Sequence, residues 1–215
     1  MPRRPREEAA GAIHHVVAKG NAGDDIVSDD HDRVTLLGRI SRAAELHRWV
    51  CLAYCLLDNH FHLVVQTLDP NLGRGMKWLG AGYAQDFNHR HDRRGHLFGG
   101  RFYSVVVERD AHLVSAIVYV ALNPVRAGLT TRPERWPWSS YGALVGRTAA
   151  PPFFDRGRVL DFLGSDPSSA QRALAQAVEE ALSAERVAWT QGSDPWGLTP
   201  GRSRRAGGRG QTRGV

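Results

Sequence analysis

The chain has 215 residues, enough for one well-buried domain with an extension and too few for two full-size domains. Its formal net charge is +6 and its sequence pI is near 9.9, so we expect nucleic acid as its main partner; the alternative is that the excess charge only keeps it soluble. There is no apolar stretch of about 18 residues and no signal-peptide core, so we expect a cytoplasmic protein without a membrane span.

The predicted elements follow the order β-α-β-β-α-β and then a further helix. A β-rich run predicts a strand near residues 12–18, and apolar residues at helical spacing predict a helix over 33–47. The runs "RWVCLAYCLLD" and "HFHLVVQTL" flank the turn pair Asp58-Asn59, which indicates an antiparallel hairpin. A helix over 72–89 follows, then a strand in "GRFYSVVVERD" and a helix in "AHLVSAIVYVALN" that Asn123-Pro124 should stop. This order predicts an α+β fold of the ferredoxin-like split βαβ type, an antiparallel sheet with helices on one face.

The chain divides by composition into four parts. We expect an N-terminal arm over residues 1–11 and the main domain over 12–147. After a Pro-rich break, a helical extension should cover 148–200, with an Ala/Glu-rich helix near 168–187. The tail over 201–215 is rich in arginine and has no acidic residue, so it is predicted to stay outside any core.

The segment "LLDNHFHLVV" places two histidines one residue apart in a predicted strand. Side chains alternate between the faces of a strand, so His60 and His62 should project the same way, with Cα atoms about 6.6 Å apart. At this separation two imidazoles can bind one divalent ion. The same spacing also fits two polar residues on an open sheet face, and spacing alone leaves both interpretations open.

The surrounding motifs resemble a known family. "NHFHLVV" is similar to the His-hydrophobic-His motif of the HUH single-strand nucleases, and the wider pattern resembles the IS200-like tyrosine transposases, most of all the REP-associated group. The stretches that carry this resemblance are "HHVVAKGN", "AYCLLDNHFHLVV", "GAGYAQDFNHRHDRRGHLFGGRFYS", "YVALNPVRAGL" and "WPWSSY". They span about residues 12–145 in the family's order, which is more specific than any one of them.

The resemblance implies an enzyme that cuts and rejoins single-stranded DNA. His60 and His62 would hold Mg²⁺ or Mn²⁺, and a tyrosine on a helix would attack DNA to form a 5′-phosphotyrosine. It implies hairpin-forming DNA of repetitive palindromic elements as the substrate, and a monomer or a homodimer as the active form. We assign the nucleophile to Tyr83 in "GAGYAQDFN"; without the resemblance, Tyr83 would be interpreted as an amphipathic residue at a helix-sheet contact.

In this family an amide or carboxylate on the tyrosine's helix completes the metal site. The candidates are Asn88, Gln85 and Asp86, and we favour Asn88. Its offset of five residues from Tyr83 is about 140° around an ideal helix, so the two side chains do not share a face. His15, on the first strand, matches a family position and is a weaker metal candidate.

Basic residues around these motifs are the predicted DNA contacts. A basic, glycine-containing stretch after the second helix suits binding to a single-stranded backbone, because guanidinium groups fork onto phosphates. The predicted DNA-binding residues are Lys19, Arg90, Arg93, Arg94, Arg101 and Arg126. The alternative for each of them is ordinary contact with solvent.

Two rival functions remain open on the sequence. The first is a metal-dependent nuclease that uses water as its nucleophile and forms no covalent intermediate. The second is a non-catalytic nucleic-acid-binding module, because the same element order builds RNA-recognition sheets. Histidines replace the aromatic surface residues that such sheets use for stacking, which favours the enzyme.

Overall fold

A computed structural model describes residues 8–108, 110–164 and 166–190 of the chain. The strands are β1 (Ile13–Lys19), β2 (Trp49–Leu56), β3 (His60–Thr67) and β4 (Tyr103–Val106). The helices are α1 (Asp30–His47), α2 (Leu72–Arg90), α3 (Asp110–Arg126), α4 (Tyr141–Leu144), α5 (Arg156–Leu163) and α6 (Pro167–Thr190). The predicted tail over 201–215 lies outside the described residues, as do residues 1–7 of the predicted arm.

The four strands form one antiparallel sheet in the order β2-β3-β1-β4. The hairpin β2-β3 turns at the predicted Asp58-Asn59 pair, and β1 inserts between β3 and β4. This is the ferredoxin-like order, so the predicted α+β fold class is confirmed.

The two faces of the sheet carry different helices. On β3, Phe61 points away from His60 and His62, and its ring contacts Phe98, which in turn contacts Tyr83 of α2. Helices α1 and α2 pack together on this side, as predicted. Gly75 of α2 lies so close to Trp49 that an added Cβ would sit 2.1 Å from the indole, so this glycine permits the close approach of α2 to the sheet.

Helix α3 covers the opposite face, which we call the histidine face because His15, His60 and His62 project from it. It packs across β2 and β3. The sequence predicted that α3 stops at Asn123-Pro124, but the helix continues through Pro124 to Arg126. A proline removes only its own N–H from the helix, and the amides of Ala127 and Leu129 still bond back to Asn123 and Pro124.

The C-terminal helices pack against the main domain. Helix α6 contacts α3 and α5, and α5 also contacts β2. The predicted helix near 168–187 is confirmed as part of α6, whereas α4 and α5 were not predicted. None of the helices within the described residues is long and apolar enough to cross a membrane.

Candidate functional site

Three histidines meet on the histidine face. The rings of His60 and His62 lie 4.9 Å apart between centroids in an edge-to-face arrangement, as the alternation along β3 requires. His15 comes from the neighbouring strand β1, and its ring stacks on His62 with centroids 5.3 Å apart. The predicted pairing of His60 with His62 on one side of the sheet is therefore what the structure contains, and His15 joins them.

Hydrogen bonds at Nδ1 orient the two histidines of the pair. His60 Nδ1 lies 2.7 Å from Asn59 Oδ1, an oxygen that can only accept, so His60 donates from Nδ1 and carries its lone pair on Nε2. His62 Nδ1 lies 3.1 Å from His15 Nε2. When His62 donates in that bond, its lone pair also lies on Nε2, a buried atom without a hydrogen-bond partner. In that tautomer of His62, two Nε2 lone pairs are available to a ligand.

Burial keeps this cluster neutral. It lowers the pKa of His15 to about 4, and burial with the nearby charge of Lys19 lowers the pKa of His60 to about 4. The pKa of His62 also lies well below its usual 6.5, first because of burial and then because of the neighbouring His60 and His15. Neutral imidazoles are the form that binds a metal ion.

Tyr119 of α3 lies against the histidines. Its ring centroid is 5.5 Å from that of His15 and 5.7 Å from that of His62, both edge-to-face. Burial raises its pKa, and the nearby Arg126 guanidinium opposes that rise. The fold therefore brings Tyr119, and not Tyr83, to the histidine pair.

Arg126, a predicted DNA contact, is bound inside the protein. Its guanidinium lies 4.4 Å from the Tyr119 ring centroid and donates to the Tyr119 carbonyl at 3.0 Å. It also forms an ion pair with Glu185 of α6, and both side chains are largely buried. Arg126 therefore links α6 to the tyrosine, and a phosphate would have to displace an internal carboxylate to bind it.

Asn123 lies one helical turn after Tyr119 on α3. Four residues correspond to about 400° of helix, so the two side chains lie within about 40° of each other on one face. Asn123 is buried and donates from Nδ2 to the Tyr119 carbonyl at 2.8 Å, which leaves Oδ1 as its acceptor. Residues 8–108, 110–164 and 166–190 contain no group of three or more His, Cys, Asp or Glu side chains placed to hold a metal. A site built on His60 and His62 would need a ligand of another type, such as an amide.

The structure contradicts the predicted position of Tyr83 above the histidines. Tyr83 is 1% exposed and lies on the α1/α2 side of the sheet, where its hydroxyl donates to the Ile26 carbonyl at 2.6 Å. Burial raises the pKa of Tyr83 well above its usual range, with the nearby Asp32 adding to the rise. The physical reason is that α2 packs against Phe61 and Phe98, not against the histidine face.

Asn88 is separated from the histidines for the same reason. It lies on α2, and its Nδ2 donates to the Gly95 carbonyl at 2.9 Å, which ties down the loop after the helix. The alternatives Gln85 and Asp86 lie on the same helix, and Asp86 forms a bidentate ion pair with Arg39 of α1. The helix that follows the hairpin therefore brings neither Tyr83 nor Asn88 to the histidines.

A spacing signal in the sequence could have identified Tyr119. The stretch "YVALNPVRAGL" places an asparagine four residues after a tyrosine, on one helical face, whereas Tyr83 and Asn88 are offset by five residues. The assignment to Tyr83 followed the order of elements, and the poor offset argued against it.

Besides Arg126, two more of the predicted DNA-binding arginines are paired with acidic residues. Arg90 donates to Asp29 at 2.6 Å and to Asp32 at 2.5 Å. Arg93 pairs with Asp24 at 3.3 Å. These acids precede or begin α1, so both arginines hold the loop before α1 against the end of α2.

Lys19, Arg94 and Arg101 are exposed to solvent. Lys19 pairs with His60 in the β1-β3 register and so projects from the histidine face beside the pair. Arg101 lies just before β4, and Arg94 lies in the loop after α2. The cation nearest to the histidines in register is therefore Lys19.

Comparisons with known proteins give one relative in sequence and one in fold. A protein of Haemophilus influenzae described as a REP-associated tyrosine transposase is 23% identical over 134 residues, covering 54% of this chain and 76% of its own length. A solved REP-associated tyrosine transposase, bound to a REP hairpin, superposes with a TM-score of 0.58 at 16% identity, covering 72% of this chain and 92% of the other. No protein-family model matches the chain. The relative and the structural neighbour support the predicted assignment to the IS200-like, REP-associated tyrosine transposases.

Proposed function

We propose that this chain is a metal-dependent transesterase of the tyrosine transposase kind, with Tyr119 as its nucleophile. The observation that carries the proposal is the contact of the Tyr119 ring with His15 and His62 on the histidine face. The Haemophilus influenzae relative and the structural neighbour support an enzyme of this kind.

The donors on this face fit a small divalent cation. His62 Nε2 is buried without a partner, and a buried polar nitrogen in that state costs free energy unless something binds it. His60 and His62 would hold the ion through Nε2, with Asn123 Oδ1 as a third ligand. The amide oxygen and the DNA oxygens suit Mg²⁺ or Mn²⁺, the ions that the family resemblance implies, whereas the two imidazole nitrogens are also good ligands for Zn²⁺. The ion would supply charge neutralisation at the phosphate.

Tyr119 would attack a phosphodiester of single-stranded DNA. Its Oη forms a bond to phosphorus as the phenolic proton passes to water, and the bond from phosphorus to the 3′ oxygen breaks; that oxygen takes up a proton from water to give a free 3′-hydroxyl. The product is a 5′-phosphotyrosine, which conserves the linkage for rejoining. The guanidinium of Arg126 favours the negative charge that develops on the phenol as the proton leaves.

The proposed substrate is hairpin-forming DNA. The structural neighbour is bound to a REP hairpin, and the chain carries a net charge of +6 that favours binding to phosphates. Lys19, Arg94 and Arg101 are the exposed cations that we propose contact the backbone. An active form that is a monomer or a homodimer stays a prediction.

Incubation with labelled hairpin oligonucleotides and Mn²⁺ tests the proposal. We expect a covalent protein-DNA adduct on a denaturing gel, with the modified peptide containing Tyr119. The Tyr119→Phe variant should form no adduct and cut no DNA. Cleavage by Tyr119→Phe would favour the hydrolytic nuclease, and binding without cleavage in Mg²⁺ and Mn²⁺, unchanged in His60→Ala, would favour the non-catalytic module.

A further inference from the structure

The β4 edge of the histidine face is more open than the part under α3, within the described residues. Helix α3 packs across β2 and β3, and the side chains of β1 and β4 on the same face are more open. Tyr103 is 66% exposed and Val105 is 45% exposed, and both lie on β4. A tyrosine with most of its surface in water is unusual on a sheet, because its ring forfeits the burial that most tyrosines gain.

The strand register places Tyr103 in line with the candidate site. Val17 of β1 pairs with His62 of β3 on one side and with Tyr103 of β4 on the other. Paired residues in antiparallel strands point to the same face, so His62, Val17 and Tyr103 form one row across the histidine face. Neighbouring strands are about 4.8 Å apart, which puts Tyr103 about 10 Å from His62 along that row.

The charge around this row suits a nucleic acid. Lys19 lies on the same face beside His60, and exposed Arg101 comes two residues before Tyr103. An exposed aromatic ring next to cations is an arrangement with which proteins bind single-stranded DNA, because bases stack on the ring while the cations contact phosphates. A ring can stack on any of the bases, because each base has a π-face, so Tyr103 would add affinity without sequence preference.

We propose that Tyr103 is a base-stacking platform that binds a nucleotide of the single strand beside the reacting phosphate. The choice of this ligand rests on the proposed function, since the bound nucleotide would belong to the DNA strand that Tyr119 attacks. Another possible occupant is a second copy of this chain at the edge strand β4. The single strand is favoured because β4 spans only Tyr103–Val106, and two copies would bring their exposed cations together.

The test uses binding to oligo(dT) of about 16 nucleotides and to an abasic strand of equal length, by fluorescence anisotropy at one ionic strength. The Tyr103→Ala variant should bind oligo(dT) about 5-fold to 150-fold more weakly, the range expected for loss of one base stack, and bind the abasic strand as the wild type does. Tyr103→Phe should keep wild-type affinity. The matched control is Val34→Ala, which removes an apolar side chain of similar exposure from α1, on the other side of the sheet.

Equal losses on both strands, or no loss, would overturn the stacking role. A change in sedimentation of Tyr103→Ala with unchanged oligo(dT) affinity would assign the surface to self-association and also overturn it. The Tyr119→Phe variant keeps the two proposals separate. If it retains both the adduct and the stacking-dependent affinity, the proposed nucleophile is wrong and the platform stands.

Discussion

The Tyr83→Phe variant separates the fold from the chemistry. The Tyr83 hydroxyl is buried and donates to the Ile26 carbonyl at 2.6 Å, so its removal leaves that carbonyl without this donor in a site closed to water. Loss of one such buried hydrogen bond costs about 1–3 kcal/mol in free energy of unfolding. The aromatic ring itself remains, so its packing against Phe87 and Phe98 should be kept.

Urea unfolding and the covalent-adduct assay on the same preparations measure the two effects. We expect Tyr83→Phe to shift the unfolding midpoint downwards and to form the adduct at the wild-type level below that midpoint. Tyr119→Phe should keep the wild-type unfolding midpoint, because its ring still contacts Arg126. It should form no adduct, because the nucleophilic oxygen is gone. A folded Tyr83→Phe protein that forms no adduct would refute the assignment of the nucleophile to α3.

Three further outcomes follow from contacts around the site and at the start of α1. His15→Ala removes the hydrogen-bond partner of His62 Nδ1 and should weaken Mn²⁺ binding by about 10-fold to 100-fold in calorimetric titration; unchanged affinity would exclude this orienting role. Glu185→Gln leaves the largely buried Arg126 without its carboxylate and should destabilise the fold by about 3–5 kcal/mol, and adding Arg126→Met should recover part of that loss in denaturant unfolding. Burial raises the pKa of Asp32, but hydrogen bonds from the Ser28 amide and the side chains of His91 and Arg90 outweigh it and hold this pKa below the usual 3.8. The stabilisation from the ionised Asp32 is therefore fully present above the unfolded-state pKa and is lost as the pH falls through the lower folded-state pKa. Asp32→Asn should lower the melting temperature at neutral pH and lower it less in acid.

Local periodicity was enough to predict the four strands, the helices α1, α2, α3 and α6, and the histidine pair, but not α4 and α5. A period of two along β3 places His60 and His62 on one side whatever the rest of the chain does, and the helical period does the same for Tyr119 and Asn123. The β-α-β-β-α-β order then leaves few sheet topologies, and the ferredoxin-like one is observed. These features depend on neighbours in sequence, which is why they can be read before the fold is known.

The offset of four residues between Tyr119 and Asn123 is a local signal, but which of the two tyrosines lies at the histidines depends on contacts between distant segments. Each of α2 and α3 carries a tyrosine, and nothing local to either helix states which face of the sheet it will cover. Helix α2 packs on Phe61 and Phe98, and α3 packs over His15 and His62. Which helix covers which face is determined by the burial of apolar surface on both faces of the sheet at once.

The basic residues show the same division. Arginine composition predicted phosphate contacts, yet Arg90 is paired with Asp29 and Asp32 from α1 and its preceding residue, and Arg126 with Glu185 from α6. A guanidinium group binds a carboxylate or a phosphate by the same forked geometry, so the residue type does not reveal its partner. Its partner is set by which acids the folded chain brings within reach, and that is a property of tertiary structure.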